Sequence, residues 1–173
     1  MLQKFKEHIQ LNFPFLKEKK LLIAISGGLD SVVLTQLFSE LNFDISLAHC
    51  NFQLRGKESD LDEDFVKLLS QKTSNQIFTI KFDTEKFSKN NKFSTQIAAR
   101  ELRYNWFQEL IEKHNFDFVL TAHHADDNLE TFLINLTRGT GLEGLTGIPA
   151  INGNIVRPLL AFSREEILAY AQA

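Results

Sequence analysis

The run Leu21-Leu22-Ile23-Ala24-Ile25 offers water nothing on either side, and it stops abruptly at Ser26-Gly27-Gly28. An apolar segment that short suits a strand buried on both faces, as in a parallel sheet covered by helices. After the glycines the period changes: Val33, Leu34, Leu37, Phe38 and Leu41 recur at helical spacing. The alternation then repeats. Further strands are predicted over 44–50, 76–82 and 117–122, with a short one within 154–160. Helices are predicted over 2–16, 30–41, 59–73, 95–114, 125–138 and 163–172. Ser59-Asp60-Leu61-Asp62 resembles a capping box with Asp in place of Glu, and Ser163 with Glu166 is predicted to cap the last helix. The Lys- and Asn-rich stretch 83–94 reads as a loop. Strand and helix alternating at this spacing predict one α/β domain over 1–173, a parallel sheet of about five strands with helices on both faces.

Composition narrows the chemistry. A single cysteine, Cys50, excludes an intramolecular disulfide and any Cys-rich zinc or iron–sulfur site made by this chain alone. No apolar run approaches membrane-spanning length, and the charged N-terminal stretch has no signal-peptide core, so a cytoplasmic protein is expected. The formal net charge of -3 gives no global attraction to nucleic acid; an RNA partner would need local patches or further domains.

Ser26-Gly27-Gly28-Leu29-Asp30-Ser31 lies at the carboxyl end of the first predicted strand, where parallel α/β sheets bind ligands. Two glycines allow a tight turn with outward N–H groups, and the following helix adds free N–H groups and a positive dipole end. An anion cradle and a plain strand-to-helix turn capped by Asp30 both fit. The segment is not a Walker A loop, because no lysine occurs between Lys20 and Lys57. The literal G-x-G-x-x-G at Gly139, Gly141 and Gly144 follows a helix rather than a strand, which argues against a dinucleotide site.

A second cluster, His123-His124-Ala125-Asp126-Asp127-Asn128-Leu129-Glu130, runs from the fourth predicted strand into a helix. Asp126 and Asp127 each share a helix face with Glu130. Helix capping, a magnesium site and recognition of an amine by paired acids remain three open readings. H-E-x-x-H is absent, which argues against a zinc protease.

The first motif resembles the SGGxDS signature of the PP-loop ATP pyrophosphatases. Three further segments resemble the tRNA(Ile)-lysidine synthetase family within that superfamily: HHADDNLETFLINLTRGTGLEGLTGIP, Asn51-Phe52-Gln53-Leu54-Arg55-Gly56, and Ala98-Ala99-Arg100-Glu101-Leu102-Arg103-Tyr104. The resemblance covers essentially the whole chain and implies an N-terminal catalytic domain with tRNA-binding domains beyond it. The last helix reaches the chain end without a C-cap, in keeping with that expectation.

What the family implies is an enzyme that adenylates the C2 carbonyl oxygen of the wobble cytidine of tRNA(Ile) with a CAU anticodon. The amine of L-lysine then displaces AMP. By the same resemblance Ser26 to Ser31 would bind ATP, with Asp30 as a Mg2+ ligand. Asp127, Glu130 and Asp126 would bind lysine. Asp127, Glu130, Arg100 and His123 would be catalytic, with Arg100 facing phosphate, the lysine carboxylate or merely a surface acid. Arg55 and Arg138 would face RNA, and the Gly-rich stretch 139–149 would be a lid, an RNA-facing loop or a plain connection. A homodimer is left open. The alternatives are a tRNA thiolase, an amide-forming synthetase or a non-catalytic ATP-binding module. A single cysteine weakens the first, and acids beside a phosphate loop weaken the last.

Overall fold

The computed structural model describes residues 1–139 and 146–172. Six strands, β1 (Leu21–Ala24), β2 (Ile45–Asn51), β3 (Ile77–Lys81), β4 (Phe118–Leu120), β5 (Ile151–Asn152) and β6 (Ile155–Val156), form one sheet in the order β3-β2-β1-β4-β6-β5. Seven α-helices are described: α1 (Leu2–Asn12), α2 (Leu29–Glu40), α3 (Lys57–Thr73), α4 (Thr84–Asn91), α5 (Thr95–His114), α6 (Ala125–Thr137) and α7 (Arg164–Ala171).

The uniform apolarity of β1 is used on both sides. Leu21, Ile23 and Ile25 enter a core with Phe5 and Ile9 of α1, Leu34, Leu37 and Phe38 of α2, Val66 of α3 and Ile167 of α7. Leu22 faces the other way, into a second core with Trp106, Phe107 and Leu110 of α5, Ala48 and Val119. The expectation of a helix-covered sheet therefore holds.

Four expectations need correction. The sheet has six strands rather than about five, because residues 151–156 form a hairpin whose first strand, β5, runs antiparallel to β6. The predicted loop over 83–94 contains α4, whose N-terminus Asp83 caps by accepting from the Lys86 N–H at 3.0 Å. Phe87 and Phe93 pack at its far end, an apolar contact that the polar composition concealed. The first helix ends at Asn12, and Pro14–Leu16 is a separate 3-10 turn. Helix α3 starts at Lys57 with Gly56 as N-cap, so Ser59 lies inside the helix; its hydroxyl accepts from the Arg55 N–H at 3.1 Å. At α7 the capping box is present as predicted, between Ser163 and Glu166.

One feature of topology decides where function sits. β1 pairs in parallel with β2 on one side and with β4 on the other. Helices α2 and α3 cover one face, whereas α5 crosses the opposite face before β4. The chain therefore leaves the carboxyl ends of β1 and β4 at a topological switch point, where a crevice opens between them. The turn after β1 and the turn after β4, almost a hundred residues apart in sequence, become neighbours.

Candidate active site

The turn after β1 is built from its own short-range contacts. Ser31 Oγ accepts from the Ser26 N–H at 3.2 Å and donates to the Gly28 carbonyl at 2.8 Å. Ser26 Oγ accepts from the Gly28 N–H at 3.2 Å. Gly27 sits at φ +90°, a conformation that side-chain-bearing residues rarely adopt. Gly28 is the N-cap of α2 and supplies no side-chain cap, and the first helical bond in the turn runs from Val32 N to Gly28 O. The N–H groups of Leu29, Asp30 and Ser31 thus have no acceptor within the helix. Asp30 does not cap the helix, which removes one of its two candidate roles.

The turn after β4 is held differently. His124 is the N-cap of α6 in a reciprocal arrangement: its backbone N–H donates to Asp127 Oδ2 at 2.9 Å, and its Nδ1 accepts from the Asp127 N–H at 3.4 Å. Its Nε2 lies 3.7 Å from Asp30 Oδ2 and 3.6 Å from Asp127 Oδ2. The buried His124 ring is thus the link between the two turns.

Two clefts meet here. The first, of about 310 Å3, is lined by Ser26, Asp30 and Ser31 of the glycine turn. Ala48, Cys50 and Phe52 of the β2 side, Arg103 and Phe107 of α5, and His123 and Asp127 complete it. The second, of about 420 Å3, is lined by Arg100, His123, Asp127, Glu130, Thr131, Asn152 and Arg157, with Gly147 to Pro149 along one edge. His123 and Asp127 belong to both.

The four residues expected to be catalytic therefore converge on one cavity, although they come from α5, the end of β4 and α6. Of the expected nucleotide-binding residues, Ser26, Asp30 and Ser31 line the first cleft. Gly27, Gly28 and Leu29 form the connecting turn. Asp126, expected beside Asp127 at a lysine, lines neither cleft; its Oδ2 accepts from the Arg164 N–H at 2.8 Å and ties α6 to the start of α7. Arg55 is paired with Asp62, and Arg138 is exposed at the end of α6; both lie outside the two clefts. The reading of 139–149 as a lid falls in part, over 140–145, outside the described residues. At its described end, the Ile148 N–H donates to Asn128 Oδ1 at 2.6 Å, which pins the segment to α6.

Electrostatics follow from burial. Desolvation, reinforced by the Arg157 charge, holds His123 below the ordinary imidazole range, and its Nδ1 lies 2.9 Å from Thr121 Oγ1. Burial pushes the Cys50 thiol up to about 12, which makes it a wall of the cleft rather than a nucleophile. Asp30 Oδ1 is buried with no hydrogen-bond partner. Such an orphaned carboxylate oxygen beside a phosphate-type turn suits a hard cation that takes its remaining ligands from phosphate. Among the described residues no group of three His, Cys, Asp or Glu side chains could hold a metal by itself.

The PP-loop domain family matches the chain over residues 1–173. The chain belongs to the PP-loop family. Its glycine turn, Ser26 to Ser31, is the segment that resembles the SGGxDS signature of that family. Among curated proteins the chain is similar to the tRNA(Ile)-lysidine synthase of Bacteroides thetaiotaomicron, 47% identical over 167 residues, covering 96% of this chain and 38% of that protein. The enzyme of the same name from Chlorobaculum tepidum is 42% identical over 174 residues, covering 98% of this chain and 53% of that protein. The chain thus spans roughly a third to a half of the length of the curated relatives it matches. Among solved structures, the U34-tRNA thiolase NcsA of Methanococcus maripaludis with its [4Fe-4S] cluster shares the fold at a TM-score of 0.77 and 19% identity, covering 99% of this chain and 63% of that one.

Sequence reasoning gave no role to three residues at or beside the two clefts. His124 sits beside the better-known pattern of acids, and only its contacts with Asp30 and Asp127 distinguish it. Arg103 lay in a segment quoted for its resemblance but received no role; its guanidinium stacks 5.3 Å over Phe52 at the first cleft. Arg157, just before Pro158, carried no local signal at all.

Proposed function

We propose that the joined clefts catalyse ATP-dependent ligation of L-lysine to C2 of the wobble cytidine of tRNA(Ile) with a CAU anticodon, forming lysidine. The observation that carries the proposal is that His123 and Asp127 line both cavities. A nucleotide phosphate held at the PP-loop and an amine held by Asp127 and Glu130 would face each other across those two side chains. The names of the similar proteins support the same reading.

In the first step the cytosine O2 attacks the α-phosphorus of ATP. An O–P bond forms, and pyrophosphate leaves with the electrons of the broken P–O bond. The free N–H groups of Leu29, Asp30 and Ser31 receive the developing negative charge. A Walker-type lysine is not needed, because the β- and γ-phosphates leave as one unit and the α-phosphate must stay open to the base. Asp30 would hold Mg2+, which when bound neutralises phosphate charge.

In the second step the lysine amine attacks C2, the C2–O bond to AMP breaks, and the nitrogen gives up one proton. Burial keeps His123 neutral and so able to accept that proton, and the Asp127 charge offsets part of the cost of charging its ring. The Asp127 carboxylate orients the amine while its Oδ2 remains anchored by the His124 N–H. Arg55 and Arg138, both exposed, are proposed contacts for tRNA phosphates. The cytoplasm is the compartment this chemistry implies, because it needs tRNA and free lysine together.

The test is incorporation of labelled lysine into a tRNA(Ile) transcript carrying CAU by the full-length protein, with release of AMP. tRNA-dependent ATP cleavage without lysine incorporation would overturn the lysine reading and leave the nucleotide site standing.

A further inference from the structure

Arg157 is 4% exposed, yet no carboxylate pairs with it among the described residues. Its Nη1 donates to the Pro149 carbonyl at 2.7 Å, and its Nε is buried with no partner. A guanidinium stays charged in proteins, and buried charges are normally paired. The side chain lines the second cleft and not the first. It is therefore a fixed cation waiting for an anion that enters that cleft.

The rest of the lining selects the anion. Arg157 and Arg100 line the same cleft as Asp127 and Glu130, two cations and two carboxylates. Pyrophosphate or an RNA backbone would bring its charge against both acids. A zwitterion with amines and one carboxylate meets opposite charge at each end, and a flat carboxylate matches the guanidinium fork. The two arginines also differ. Arg100 is exposed, with its guanidinium stacked 4.9 Å over Tyr104, whereas Arg157 is held in place by its burial and by the Pro149 carbonyl. Fixed geometry suits recognition of the small substrate.

We propose that Arg157 reads the α-carboxylate of the amino-acid substrate, and so makes the second cleft select an amino acid over the amine of the same length that lacks a carboxylate. This rests on the second cleft being the lysine site.

The experiment compares L-lysine with 1,5-diaminopentane as acceptor amines, using full-length protein, ATP and tRNA(Ile) with CAU. Wild type is expected to prefer lysine, and Arg157→Met to lower the lysine-to-diamine ratio of kcat/KM about 100-fold, chiefly through the KM for lysine. Arg157→Lys keeps a cation without the fork and is expected to lower the ratio about tenfold; should Arg157→Met not fold, this variant decides. General damage to the cleft would depress both amines together, so an unchanged ratio overturns the assignment. So does a wild-type enzyme that uses both amines equally well. Absence of lysine incorporation by the wild type removes the proposed function itself and this assignment with it.

Discussion

The two clefts are built in opposite ways. The first cleft takes its glycine turn from six consecutive residues, Ser26 to Ser31, which shape one another through hydrogen bonds no more than five residues apart. The second cleft draws its charged groups from α5, the β4–α6 turn, α6 and the end of β6, and no two of those sources are hydrogen-bonded neighbours in the sheet except β4 and β6. A local turn carries its geometry with it. A cavity assembled over the span 100 to 157 exists only if every supporting contact is made. The first should therefore fail by local strain and the second by loss of particular anchors.

The largest expected effect is at the shared wall. Asp127→Asn keeps an oxygen that can accept from the His124 N–H, so the start of α6 survives while the negative charge is lost. Lysine-dependent turnover should fall about 1,000-fold with ATP affinity changed far less. Loss of ATP binding alone in that variant would reverse the division of labour between the clefts. Next comes Gly27→Val. A side chain at φ +90° is strained, and its Cβ would sit 3.6 Å from Asp62 Cβ and Val66 Cγ1. With strain of about 1–3 kcal/mol, equilibrium binding should show ATP affinity roughly tenfold or more lower.

Gly147→Ala probes the second cleft in the same manner. Gly147 has φ +70°, and an added Cβ would collide with Asn128 Oδ1, the atom that holds Ile148. The KM for lysine is expected to rise about tenfold with little change in ATP affinity, a loss of about 1–2 kcal/mol. Equal damage to both substrates would mean that the clefts are not separable. Asp126→Ala sharpens the contrast with its neighbour. It should cost about 1 kcal/mol of stability in chemical denaturation through the lost Arg164 contact and leave the KM for lysine within about twofold.

The smallest effect is on pH dependence. Burial holds His123 and His49 below the ordinary value of 6.5. Between each lowered folded value and the unfolded one, the unfolded chain binds more protons, so stability is expected to fall as pH drops below 6.5. Thermal unfolding measured from about pH 7.5 down to about 5.5 should show this decline, with a shallower slope in His123→Gln. A flat profile would mean that these rings are not shielded from water.

Much of this was legible in the residues themselves. Continuous apolarity in Leu21 to Ile25 announced a strand buried twice over, and both cores use it. Gly27-Gly28 announced the turn. The misses share a cause. Helix α4 forms because Asp83 caps it and Phe87 meets Phe93, two contacts that composition averages away. Asp126 and Asp127 look equivalent in a string of letters, but consecutive helical positions point about 100° apart. One therefore reaches α7 and the other the clefts. His124 caps its own helix through Asp127, but its contact with Asp30 comes from a distant turn, and Arg157 carries no local pattern.

By itself, then, the sequence determined most of the elements and the glycine turn, because hydrophobic period and glycine conformation act over a few residues. Only the tertiary structure decided that β4 lies beside β1, that His124 bridges Asp30 and Asp127, and that a buried Arg157 lines the same cleft as Glu130. Those outcomes depend on strand order and on the direction of side chains across a packed interior, which no short stretch of chain encodes alone.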